Sequence, residues 1–145
     1  MFYLLSALAG AMLPVQGAIN ARLGRNIGGP FWATTVSALL LMLVVGALAA
    51  ITTKMVPRPA MMAEAPWWAW TGGLCGALVL TTVTAAPSRI GAAAMIALLM
   101  AGQITASIAL DHFGALGLAT HPVSPLRLLA AGLLLAGAAI FTLAP

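Results

Sequence analysis

The chain has 145 residues, 63% hydrophobic and 6% charged, with a mean hydropathy of +1.11. A water-soluble domain is about 25% charged, which at this length means roughly 36 charged side chains; here there are six Lys/Arg and two Asp/Glu. That excludes a water-soluble enzyme and a disordered chain, and the basic residues stand singly between apolar blocks instead of forming a nucleic-acid-binding patch.

The remaining class is an all-α integral membrane protein. A hydrocarbon core about 30 Å thick is crossed by about 20 apolar helical residues. The spacing predicts five such spans in a single transmembrane domain: Met1 to Asn20, Phe31 to Thr53, Trp67 to Ala86, Ile90 to Leu110 and Pro125 to Leu143. All charges fall in the connections or at block ends. The blocks lack the polar/apolar alternation of a lipid-facing barrel strand. The first block has no positive flank and exceeds the length of a signal-peptide core, so it reads as a span. Pro14 inside it predicts a kink. Gly28, Gly29 and Pro30 end the first helix and open the second. Pro57, Pro59 and Pro66 mark the longest connection. Trp67, Trp68 and Trp70 gather where the third helix would enter the membrane, the level that aromatic side chains prefer. Pro87 and Ser88 separate the third span from the fourth, and Pro122 and Pro125 precede the fifth.

Five spans place successive connections on alternate sides. Arg22, Arg25 and Arg89 then fall on one side, and Lys54, Arg58 and Arg127 on the other. Orientation follows an excess of Lys and Arg on the cytoplasmic side, and here there is none. The balance predicts dual topology, in which copies insert both ways and pair head to tail. Such a pair has the form of the inverted repeats within longer transporters.

Polar side chains in hydrocarbon need a partner or a cavity. Gln16 and Asn20 are four apart and share a face of the first helix. Gln103, Ser107 and Asp111 form a second stripe at i, i+4 and i+8, ending beside His112. Amides and hydroxyls both donate and accept, so the two stripes suit a cavity that orients a polar solute. The alternative is structural hydrogen bonding between helices at about 1 kcal/mol each. Asp111, His112 and Arg127 suggest a gate or a local ion pair at a helix end. Gly72 and Gly76 form a GxxxG, and Gly132 with Ala136 a lesser version, both suited to helix packing. Thr81, Thr82 and Thr84 are accounted for by bonding back to their own helix. His112 and His121 have no recognisable metal-site spacing. Cys75 is alone. No phosphate loop, GxSxG or HExxH occurs, so neither an enzyme nor a cofactor or metal is expected.

Several of these residues carry a family likeness. Ala101-Gly102-Gln103, Ala106-Ser107, Leu110-Asp111-His112-Phe113-Gly114, Arg127 and Gly132 resemble the YdcZ-like family of the drug/metabolite transporter superfamily. So do Gln16, Asn20 and Leu23-Gly24, and Pro66-Trp67-Trp68-Ala69-Trp70. The resemblance spans nearly the whole chain and is most specific from Gln103 to Gly114. It implies a five-helix half-transporter in the bacterial inner membrane. Relatives in the superfamily have ten helices in two inverted halves, or pair as antiparallel dimers like the small multidrug resistance exporters. Those exporters carry a glutamate deep in the first helix, where this chain has the neutral Gln16 and Asn20. The resemblance therefore does not bring their carboxylate exchange with it.

The expected function is transport of a small solute. It uses an antiparallel dimer, of two identical chains or of this chain with a sister chain, arranged as an inverted-repeat-like ten-helix bundle with its cavity at the subunit interface. Gln16, Asn20, Gln103 and Ser107 are the expected lining. A non-transporting membrane scaffold or assembly subunit is the alternative, and a channel ranks behind it.

Overall fold

The computed structural model describes residues 2–143, and these contain no β-strand. The first helix, α1, spans Phe2–Ile27 and runs unbroken through Pro14. It outlasts its apolar block because Arg22 and Arg25 can extend their charges on long apolar stems. Gly28 (φ 94°) and Gly29 (φ 120°) end it with backbone angles that side chains resist. The Gly29 N–H donates to the Gly24 carbonyl at 2.7 Å, closing the last turn. Pro30, whose missing N–H would be unpaired at a first turn, begins α2, Pro30–Thr53.

The connection that follows contains a one-turn helix, α3, Pro59–Ala63, and a 3-10 turn, Trp67–Thr71. The turn leads into α4, Gly72–Ala85. A short α5, Pro87–Ile90, extends this span. Gly91 (φ 82°) reorients the chain into α6, Ala92–Phe113. Gly114 (φ 58°) caps α6 by donating its N–H to the Leu110 carbonyl. After a 3-10 turn at Ala115–Gly117 comes α7, Pro125–Leu143. Five segments have the length and apolarity to cross a membrane: Phe2–Ile27, Pro30–Thr53, Trp67–Ile90, Ala92–Phe113 and Pro125–Leu143.

The chain divides into two compact units, Met1–Pro87 and Ser88–Pro145. In the first, α1, α2 and α4 pack on one another; in the second, α6 packs on α7. The buried contacts are made by small side chains, with Ala33 and Val83 in the first unit and Ala101, Ala131 and Ala138 beside Met95 in the second. Each residue from Leu39 to Val45 on α2 is at least 50% exposed. Such a surface would draw a soluble protein into aggregates, whereas in a bilayer it meets acyl chains.

The closest approach in the first unit is at Gly17. A Cβ placed there would lie 2.6 Å from the Val83 carbonyl oxygen and 3.0 Å from Val83 Cγ1. The chemistry around Val83 explains the approach. Four residues further along stands Pro87, which has no N–H to give that carbonyl. Only glycine lets α1 come close enough to cover it. By contrast, a Cβ at Gly72, Gly76 or Gly132 meets nothing within 4 Å. The close helix contact expected at Gly72–Gly76 is thus not made within the first unit, because α1 crosses the other end of α4, at Val83. Gly17→Leu should cost about 2 kcal/mol or more, because a backbone carbonyl cannot yield as a side chain can. Gly72→Leu should leave the monomer's stability within about 0.5 kcal/mol. Thermal unfolding of both variants in detergent checks the contrast.

Candidate functional site

The face of α1 that carries Gly17 also buries Asn20 and Gly24. Asn20 Nδ2 donates to Thr84 Oγ1 of α4 at 3.4 Å. Thr34 Oγ1 of α2 donates to the same oxygen at 3.5 Å. Thr84 Oγ1 donates in turn to the Leu80 carbonyl of its own helix at 2.8 Å. One turn along α2, Ser37 Oγ donates to Asn20 Oδ1 at 2.5 Å. Asn20, Thr34 and Thr84 are 4%, 8% and 2% exposed, and Ser37 is half-buried. Thr84 Oγ1 thereby uses its one donor and both lone pairs. Among the described residues no buried side-chain nitrogen or oxygen lacks a partner.

Gln16 lies one turn before Asn20, half-buried, and its amide forms no hydrogen bond among the described residues. In the second unit Gln103 and Ser107 are exposed on α6, and neither side chain has a partner among the described residues. Thr105, between them, donates to the Ala101 carbonyl and is satisfied by its own helix. The four predicted lining residues therefore differ. Asn20 is committed to the three-helix junction, whereas Gln16, Gln103 and Ser107 keep free hydrogen-bonding capacity.

At the end of α6, Arg127 Nη1 donates to Asp111 Oδ2 at 3.4 Å, with the Arg and Asp side chains 45% and 36% exposed. Ser124 Oγ accepts from the Arg127 N–H at 3.3 Å, in the manner of an N-cap. The connection between the helices folds back over this end. His121 N–H donates to the Asp111 carbonyl at 2.8 Å, and the Val123 N–H donates to His112 Nδ1 at 3.4 Å. Gly114 is required in this fold-back. Its φ is positive, and a Cβ would stand 2.6 Å from Thr120 Oγ1. Asp111, His112 and Arg127 are therefore gathered at one end of the second unit, with Asp111 and Arg127 in direct contact.

Thr34 and Ser37 stand three apart on one face of α2, and that spacing is the signal that could have found them. Thr84 does bond back to its own helix, but that uses only its proton. The two lone pairs left over are the signal that it accepts from other helices. No group of three or more His, Cys, Asp or Glu suited to a metal ion occurs among the described residues. What the site residues offer chemically is neutral amide and hydroxyl hydrogen bonding, plus one exposed ion pair.

No curated protein and no solved structure matches the chain. The family described as "Putative inner membrane exporter, YdcZ" matches residues 1–140. With that match and five membrane-length helices, the chain belongs to the YdcZ family of multi-pass inner-membrane proteins.

Proposed function

We propose that the chain exports a small polar solute as one half of an antiparallel dimer, by alternating access around a cavity at the interface between two copies. The observation that carries this reading is the exposed, unpartnered pair Gln103 and Ser107 on a helix otherwise rich in Ala, Leu, Ile and Met. Hydrocarbon offers an amide no partner, at a cost of several kcal/mol. A hydrated cavity removes that cost and gives the solute a place to bind. The family's description as an exporter supports the transport class and the outward direction. The three-against-three division of Arg and Lys supports insertion in both orientations.

Gln16 joins Gln103 and Ser107 as solute-facing, and Asn20 positions α1 so that Gln16 is held one turn away. The Asp111–Arg127 pair is the gate, with the connection that carries His121 and bonds His112 moving as it opens. A pair this exposed contributes at most about 1 kcal/mol, so it can open and close in each cycle. Rocking of one five-helix chain against the other around the fixed site completes the cycle.

Gln103→Leu should lower solute flux in liposomes at least tenfold, with dimer and unfolding temperature retained. Loss of assembly with this variant would favour the scaffold reading. Flux that does not saturate with solute would favour a channel. In a Cys75→Ala background, cysteines at positions 103 and 107 should react with an aqueous thiol reagent; no reaction would mean the face is dry. Asp111→Arg and Arg127→Asp should each impair flux, and the double exchange should restore it, with stability changing by no more than about 1 kcal/mol throughout. A C-terminal reporter should be found on both sides of the membrane, and one added Lys in a connection should drive it to a single side.

A further inference from the structure

We propose that the connection between α2 and α4, together with the tryptophans that open the next span, lies in the plane of the membrane surface and binds the headgroups of anionic phospholipids. The connection is apolar where a loop in water would be polar. Val56, Met61 and Met62 are exposed, and so are Trp67, Trp68 and Trp70. Neither α3 nor the 3-10 turn at Trp67–Thr71 contains a buried residue. A single helical turn is not stable alone in water. Moreover α3 consists of Pro, Ala and Met, so none of its faces suits water. The first unit leaves this segment uncovered, and its position says what covers it. It leaves one membrane-length helix at Thr53 and enters the next at Trp67. Both of its ends are therefore held at one edge of the hydrocarbon core, where the headgroups begin.

Charge selects the kind of headgroup. Lys54 has φ 52°, the left-handed conformation that favours glycine at a helix C-terminus. A lysine there keeps a cation at the point where the chain leaves α2, at a cost in backbone strain. Arg58, four residues on, precedes α3. Neither cation has an ion-pair partner among the described residues, and Glu64 pairs with neither. The path between them is restricted: the Met55 N–H donates to Thr53 Oγ1 at 3.3 Å, and Pro57 and Pro59 flank Arg58.

The indole N–H groups of the three tryptophans form no hydrogen bond among the described residues. An anionic phospholipid supplies what each group lacks. Its phosphate oxygens accept from the ammonium and guanidinium groups, its ester oxygens accept from indole N–H, and its acyl chains cover the Val and Met side chains. A second copy of the chain fits less well. Of its two acidic residues Asp111 is paired with Arg127, which leaves Glu64 alone for two cations. The proposal goes beyond the export reading and does not depend on it.

The test is tryptophan fluorescence of the full chain in phosphatidylcholine liposomes. Three of its four tryptophans lie in this segment, and Trp32→Phe isolates them. Lipid brominated just below the headgroup should quench more than lipid brominated at the acyl terminus, and aqueous acrylamide should quench little. At equal mole fraction, brominated phosphatidylglycerol should quench several-fold more effectively than brominated phosphatidylcholine. Lys54→Gln with Arg58→Gln should make the two lipids equal, and inorganic phosphate should not compete with the preference. Free quenching by acrylamide, equal quenching by the two brominated lipids, or an undiminished preference in the double variant would overturn the proposal. Shielding from acrylamide and bromine alike would assign the segment to another protein chain, and competition by phosphate would assign the cations to the free anion; either result also overturns it. Should Trp32→Phe fail to fold, the native chain gives the same comparison, because the segment supplies most of its emission. None of these readouts involves solute flux.

Discussion

In hydrocarbon, a hydroxyl or carbonyl without a partner costs more than any single apolar contact returns. The first unit is organised around that constraint at Thr84. Its oxygen is shared by three helices, and neighbouring contacts follow from holding it there. Lipid tails are as apolar as leucine, so apolar side chains do not drive helices together in a membrane; small residues and polar links do. Ala33, Thr34, Val83 and Thr84 form such an interface with Gly17 and Asn20, while the leucines of α2 face outward.

Proline and glycine work as a pair here. Pro87 ends α4 by withholding an N–H, and the cost falls on the Val83 carbonyl four residues earlier. Gly17 meets that carbonyl from another helix. A local feature near the end of the unit therefore dictates a residue seventy positions before it (87 − 17 = 70). This explains why Gly17 packs closely while the GxxxG of α4 does not. A small-residue motif shows where a helix can be approached, and the partner's path determines whether it is. Gly72 and Gly76 keep that capacity on a face that the first unit leaves open.

The spans were legible because bilayer thickness sets a length that composition alone can reveal. Their ends were less so. α1 passes Asn20 because arginine stems tolerate the interface, and the long connection holds a helical turn at Pro59–Ala63. The helical spacing of Gln103, Ser107 and Asp111 was legible, and charge was scarce enough to pair Asp111 with Arg127. The site was not legible where partners come from different helices. Thr34 and Ser37 gain meaning only through Thr84 and Asn20, which stand 50 and 17 positions from them respectively. Thr84 appeared self-sufficient because its bond to Leu80 is local.

The junction of the first unit and the open face of α6 treat polar atoms in opposite ways, and the difference is physically informative. In the first, the buried amide and hydroxyls of the junction are matched within the chain. In the second, an amide and a hydroxyl sit one turn apart on an open helical face with no match. Both arrangements cannot be stable in the same solvent unless something polar covers the second. An unmatched amide is worse than a methyl group in lipid. Gln103 and Ser107 are therefore understandable only in contact with water, a solute or another chain. The division leaves one polar set bonded tightly enough to keep three helices together and another free to exchange partners.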